Sequence, residues 1–398
     1  MSRNRNGIVF LSATRTAMGT FGGSLKDTSA IDLGVVASEA AVERSGADPA
    51  DFGHVVFGNV MQTSADAIYM ARHIGLRAGL PIETPAVTVN RLCGSGFQAV
   101  IDGSQEIQLG NSAVCLVGGA ESMSQAPHVV RGARWGLRLG PTTPFEDTLW
   151  EALTDPYCGF SMAQTAENLA EEYGISRSEA DEVAVRSQRL AAEAWDEGRF
   201  GEEVVPVMVG RKGREKAFDR DEHLRPDTTM EGLGGLRPYF KEDGLVTAGN
   251  ASGIGDGAAA LVMAGADYAA GQGLEPIGRL LSSAVAGVPP RIMGIGPAPA
   301  SRAALEKAGL TLDDIDLIEV NEAFAPQYVA VERELGLDRD RVNVDGGAIA
   351  LTHPLGMTGA RITCHLLHEL GRRGGGIGLG TACIGGGQGA AVIVEVGG

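Results

Sequence analysis

Val87–Gly96 reads VTVNRLCGSG and Val342–Gly356 reads VNVDGGAIALTHPLG. Each is a short β-branched run that passes into a glycine-rich turn, and each turn carries one reactive side chain, Cys93 in the first and His353 in the second. The two side chains stand 260 positions apart. The units on either side repeat in the same order. FGHVVFGN ends at Asn59 and IDLIEVN ends at Asn321, 262 positions on; Gly118 of VCLVGG and Gly380 of IGLG are also 262 apart. Three strand-to-turn units at a nearly constant offset predict two similar α/β halves. A pseudo-twofold pair would bring matching strand ends together, and ligands of open α/β sheets bind beyond the carboxyl ends of strands.

The local signals agree. Strands are expected at Ile8–Leu11, Val55–Phe57, Ala86–Val89, Val114–Val117, Leu261–Met263, Leu317–Val320, Ile377–Leu379 and Ala391–Val394. Helical spacing occupies Ser29–Arg44, Phe97–Leu109 and Ala303–Ala308. Ser176 with Glu179 forms a capping box before a longer helix. Asn321–Leu335 reads as a helix with Pro326 in its first turn. The stretch 121–250 is rich in Pro, Arg, Asp and Glu and poor in strand signals, so it reads as an insertion between the halves, placed to cover a site. The division expected is 1–120 completed by 250–272, an inserted 121–249, and 273–398.

Composition narrows the function. With 33 Lys and Arg against 50 Asp and Glu, the net charge is −17, which disfavours a nucleic-acid partner. The five cysteines form no CxxC pair, against a zinc ribbon or a disulfide framework. No apolar run approaches a membrane span, and the apolar stretch of MSRNRNGIVFL is too short for a signal peptide; the expectation is a cytoplasmic, soluble protein. Glycine numbers 58 of 398, twice the usual share of about 7%, in short clusters that suit tight turns and close backbone approach.

Cys93 follows a strand and precedes a helix, flanked by Gly94 and Gly96. The helix N-terminus is expected to lower its thiol pKa from the usual value of about 8.5. Cys115 and Cys364 sit in apolar runs and read as core. His353, fixed by Pro354, suits proton transfer; the six other histidines read as ordinary surface or core residues. Cys383 opens CIGGGQG, whose glycines form a backbone nest suited to an oxyanion. Asn321 offers an amide to a water or a carbonyl, or is a simple helix cap. A competing motif is Gly94–Ala99, GSGFQA, which fits the GxGxxA dinucleotide fingerprint of an NAD-dependent oxidoreductase, although the nearest acidic residue after the next strand, Glu121, comes late.

Six ordered motifs, NRLCGSG, VTAGNASG, MGIGP, VNEAFAP, GGAIALTHPLG and CIGGGQG, together resemble the thiolase family from about residue 7 to 396. The likeness is to 3-ketoacyl-CoA thiolases first and acetyl-CoA acetyltransferases next. It implies the five-layered αβαβα duplicated fold with an inserted loop domain, assembled as a homodimer or homotetramer, and acyl transfer in fatty-acid metabolism. Coenzyme A and acetyl-CoA would be substrates, with no permanently bound cofactor and no metal. By the same resemblance Cys93 is the nucleophile, His353 takes its proton, and Cys383 moves the α-proton of acetyl-CoA. Asn321 and His353 would steady the enolate oxygen, and the N–H groups of Cys93 and Gly385 the second oxyanion. Coenzyme A would meet Leu153, Met162, Arg225, Phe240, Ala248, Gly249, Ser252, Met293 and Phe324. One position departs from the family, which carries glycine where this chain has Thr352. A β-branched residue there is strained if the backbone φ is positive. It would leave activity with an altered acyl preference, or an acyl-CoA-binding protein without turnover.

Overall fold

The computed structural model describes residues 7–140 and 144–397; the first six residues of MSRNRNGIVFL lie outside the described residues. Nine strands follow one hydrogen-bonded path: β1 (Ile8–Thr16), β2 (Phe52–Gly58), β3 (Ala86–Val89), β4 (Val114–Ser122), β5 (Gly255–Gly265), β6 (Gly278–Gly287), β7 (Leu317–Val320), β8 (Gly376–Ile384) and β9 (Gln388–Val396). Their order is β7-β8-β9-β6-β1-β5-β4-β2-β3. The path is symmetric about its middle, where Ile8–Phe10 pairs antiparallel with Gly278–Leu280. Within each half two outer strands run parallel, β2 with β4 and β7 with β8, and the inner ladders are antiparallel. The outermost position of the second half is held by a single parallel bridge from Ile318 to Val342, matching β3 beside β2. Even the irregularities repeat: the β1–β5 ladder slips between Phe10 and Ser12, the β6–β9 ladder between Leu280 and Ser282. A bulge turns a strand at a fixed place, so its recurrence marks duplication as clearly as the motifs do.

Helices supply the other layers. Those of eight residues or more are α1 (Ala30–Ser45), α2 (Met70–Arg77), α3 (Ser95–Gln108), α4 (Met162–Tyr173), α5 (Arg177–Asp196), α6 (Pro297–Ala308), α7 (Ala325–Leu335) and α8 (Thr358–Arg372). α1 and α2 cover the outer face of the first half; α6 covers that of the second, with α7, α4 and α5 beside it. Between the two halves α3 and α8 pack on each other. They cross in backbone contact: a Cβ on Gly96 would come 2.4 Å from the Ala360 nitrogen, and one on Gly359 would come 2.2 Å from that of Phe97. The glycines of GSGFQA are therefore spent on packing. Gly94 is likewise filled by Ile384, which leaves no dinucleotide cradle there.

Each expected strand forms, usually longer than its apolar run. The strand β6 was not anticipated, because GRLLSSAVAG is small and mixed; it is the counterpart of β1 and owes its conformation to pairing. The helices α2, α4 and α8 were also unforeseen, although Ser161 with Gln164 makes a capping box at the start of α4. The helix expected from Asn321 starts four residues later, at Ala325, with Phe324 as its cap. Asn321 is thereby freed from capping.

Both glycine-rich turns place a residue with positive φ immediately before the reactive one, Leu92 at 46° and Thr352 at 83°. Thr352, with ψ 170°, occupies a backbone region that is essentially glycine's own. It is buried, and its hydroxyl has no hydrogen-bond partner among the described residues. Its side chain is turned onto Gly255, whose Cβ would meet the Thr352 oxygen at 2.5 Å. It does not border the cavity described below, so the expected effect on acyl preference has no contact to carry it. Thr352→Gly is expected to raise unfolding free energy by about 1–2 kcal/mol, the relief of one strained residue less the added freedom of glycine. Denaturant unfolding of the two proteins measures it, and equal or lower stability would refute the strain.

Candidate active site

The turn that ends at Cys93, the turn that holds His353 and the end of β8 at Cys383 open onto one cavity of about 350 Å³. Its wall is mostly apolar. Beside Cys93 pack Met61, Met123, Leu149 and Leu355; beside Cys383 pack Met162, Met293, Ala323 and Phe324. Trp150 stacks on Phe240 at its rim, with ring centroids 6.4 Å apart. The two halves contribute one thiol each, and the stretch 121–249 contributes Leu149, Trp150, Leu153, Thr154, Ser161–Ala163 and Phe240.

His353 is oriented from both sides. Its Nδ1 lies 2.6 Å from the Thr358 hydroxyl, which gives its own proton to the Pro354 carbonyl at 2.9 Å. The network thus assigns the imidazole proton to Nδ1 and leaves Nε2 as the accepting nitrogen. Burial, with Arg361 adding to it, pushes the His353 pKa down to about 3, so the ring is neutral at ordinary pH. The Nδ2 of Asn321 approaches Nε2 at 3.3 Å, and Asn321 Oδ1 is buried without a protein partner. Behind the imidazole the His353 N–H bonds the Gly253 carbonyl at 3.0 Å, so VTAGNASG forms the seat of this turn.

The expected depression of the Cys93 pKa does not occur. Burial dominates and pushes the thiol up to about 11, and Glu121 adds to the rise, although the N–H groups of Gly385 and of Cys93 itself are directed at the sulfur. α3 begins only at Ser95, and removal from water outweighs its terminus. Cys383 is raised further, by burial and by the neighbouring Cys93. Both sulfurs are thiols at rest, and a neutral base stands on the same cavity. This is a proton-transfer arrangement rather than a preformed thiolate–imidazolium pair.

Of the remaining residues singled out, Leu153, Met162, Phe240, Ser252, Met293 and Phe324 line the cavity, and Asn321 and Gly385 act on its reactive groups. Arg225, Ala248 and Gly249 do not line it; Arg225 and Ala248 are exposed. Sequence reading missed Trp150, Leu149, Ile254 and Leu355 on the wall, and Thr358 behind His353. Only Thr358 left a trace, as a hydroxyl five residues after the histidine. Among the described residues no three His, Cys, Asp or Glu side chains are grouped to hold a metal ion.

Comparison with known proteins agrees with this geometry. Residues 8–267 match the model of the thiolase N-terminal domain and 274–396 that of the thiolase C-terminal domain. The chain is 53% identical over 389 residues to the human mitochondrial 3-ketoacyl-CoA thiolase, covering 98% of each. It is 51% identical over 390 residues to the β-ketothiolase BktB of Cupriavidus necator, again covering 98% of each. The crystal structure of the human mitochondrial 3-ketoacyl-CoA thiolase in complex with CoA superposes with a TM-score of 0.96 at 52% identity, over 98% of each chain. The mitochondrial relatives overturn the expectation of a cytoplasmic location. Cellular address is read from sorting signals by receptors and is not fixed by fold or charge. With two family models spanning nearly its whole length and relatives above half identity, the chain belongs to the thiolase family and is an acyltransferase.

Proposed function

We propose that the chain catalyses reversible acyl transfer between an acyl-CoA and acetyl-CoA, giving or cleaving 3-oxoacyl-CoA, through an acyl group carried on Cys93. The observation that carries this reading is the meeting of two protonated thiols and one neutral imidazole on a single apolar cavity. In the cleaving direction His353 Nε2 takes the Cys93 proton and the sulfur attacks the 3-oxo carbon. The bond between C2 and C3 breaks, and the acetyl-CoA enolate takes the Cys383 proton. A coenzyme A thiol then gives its proton to the Cys383 thiolate and displaces the acyl group from Cys93, whose sulfur takes back the proton held by His353. Thioester is exchanged for thioester, so no other energy source enters. The N–H groups of Cys93 and Gly385, which flank the sulfur, suit the acyl oxygen. Asn321 and His353 suit the enolate oxygen; a donor so placed is worth about 3–4 kcal/mol.

Leu153, Met162, Ser252, Met293 and Phe324 would hold the pantetheine arm, and Phe240 with Trp150 the entrance. Arg225, Ala248 and Gly249, outside the cavity, would serve the nucleotide end. The insertion 121–249 would be the coenzyme A platform, set between 1–120 with 250–272 and 273–398. A homodimer or homotetramer fits β3, which is paired on one side only and exposes Val87. It also fits the exposed Trp135, Leu137, Leu139 and Phe145 of the insertion. The apolar wall suits fatty-acyl chains, and so a place in their breakdown. The test is a thiolysis assay on 3-oxoacyl-CoA from short to long chains, with mass spectrometry of the Cys93 peptide. Turnover with no acyl-Cys93 would overturn the mechanism, and no turnover on any length the function.

A further inference from the structure

Glu121 is the next-to-last residue of β4, as Cys383 is of β8, and the two are 262 positions apart; Asn59 stands likewise for Asn321. In the first half these places hold a carboxylate and an amide bonded to each other, Asn59 Nδ2 to Glu121 Oε1 at 2.9 Å. Three backbone N–H groups complete the shell: Met61 at 3.0 Å on the same oxygen, and Val60 at 3.0 Å and Gly356 at 2.8 Å on the other. Val60 and Met61 belong to the first half, and Met61 packs in the apolar cluster beside Cys93. Gly356 belongs to the second half and closes the turn that begins at His353. That turn lies hard against β4, where a Cβ on Gly119 would come 2.0 Å from the Gly356 carbonyl oxygen. One fully buried carboxylate therefore ties the wall beside the nucleophile to the turn that carries its base.

We infer that Glu121 is a positioning residue that sets His353 relative to Cys93 by clamping the two halves through Gly356 and the Val60–Met61 backbone. Four donors fill its oxygens, an arrangement only a carboxylate accepts in full. Burial, with Asp256 adding to it, brings its carboxyl up to about 7. A carboxylate held at that cost in a dry site, with no contact to the cavity, needs a structural return, and the shared turn supplies it. The inference rests on Cys93 as nucleophile and His353 as its base.

The test is E121Q in the full-length enzyme, whose amide nitrogen faces donors it cannot accept from. Geometry and charge predict opposite outcomes for alkylation of Cys93 by iodoacetamide. The Glu121 charge raises the Cys93 pKa, so its removal alone would speed alkylation; a displaced His353 slows it. The clamp predicts alkylation slowed and kcat reduced by about tenfold or more, with KM for coenzyme A unchanged, since misplacement of about 1 Å can cost 10²-fold. Faster or unchanged alkylation, or a change confined to KM, would overturn it. If E121Q does not fold, N59A, which removes one donor, decides: the same split in smaller measure supports the clamp, and parental kinetics refute it. Failure of the underlying reading is seen separately, as turnover that survives loss of the Cys93 thiol.

Discussion

Cys93→Ala is expected to lower thiolysis by on the order of 10⁴-fold or more, as removal of an enzyme nucleophile does. Without sulfur no acyl group can be carried, and the reaction would need direct attack of one coenzyme A thiol on the 3-oxo carbon. In the proposed mechanism His353 and Cys383 move protons and neither carries the acyl group. The fold should survive, because alanine fills most of the same volume and Cys93 pairs with no other side chain. Unfolding curves and coenzyme A binding are therefore expected near the parent's, while the acylated Cys93 peptide disappears. A variant that still turned over near the parental rate would remove Cys93 from the nucleophile's place.

Arg15→Met is expected to destabilise the protein by about 3–5 kcal/mol, because it strands two carboxylates in a dry interior. Arg15 lies on β1 and is fully buried. Its Nε bonds Glu203 at 2.6 Å, and its two terminal nitrogens grip Asp221 at 2.8 and 3.1 Å. Both partners come from the stretch 121–249, so this guanidinium ties that stretch to β1. His365 on α8 meets the other oxygen of Glu203 at 3.0 Å and links the second half to the same network. Although burial opposes it, Glu203 above all, then Glu319 and Asp345, raise the His365 pKa from 6.5 to about 9. The raised value sets the sign: the His365 contribution is fully present below pH 6.5 and is lost as pH rises through 9. Denaturant titrations should show Arg15→Met less stable at neutral pH, and the parent losing stability toward pH 9 more steeply than His365→Gln. An Arg15→Met protein as stable as the parent would mean that the network contributes no net stability.

Much of the fold was legible because a duplication writes each signal twice. The apolar runs at Ala86–Val89 and Leu317–Val320 became strands at their expected bounds, for a β-branched run between turn signals has few alternatives. Gly278–Gly287 carried no such signal; the edge of β1 on one side and β9 on the other made it a strand. The helix from Asn321 was misplaced at its start because periodicity does not show where a backbone is claimed by a neighbour. Here the Ala325 N–H bonds Asn250 across the chain. At the site, residues in glycine-rich turns announced themselves by chemical type. The wall residues Trp150 and Leu355 did not, since an apolar side chain looks the same in a core as on a cavity.

By itself the sequence determined the duplicated α/β architecture and the residues that could do chemistry, because periodicity, turn chemistry and residue type are local properties. Only the tertiary structure decided their states. Burial raised the Cys93 pKa that the helix terminus was expected to lower, Thr358 fixed which nitrogen of His353 accepts, and the crossing of α3 with α8 spent the glycines that resembled a dinucleotide fingerprint. Those outcomes depend on desolvation and on contacts between segments some 260 residues apart, which no local pattern encodes.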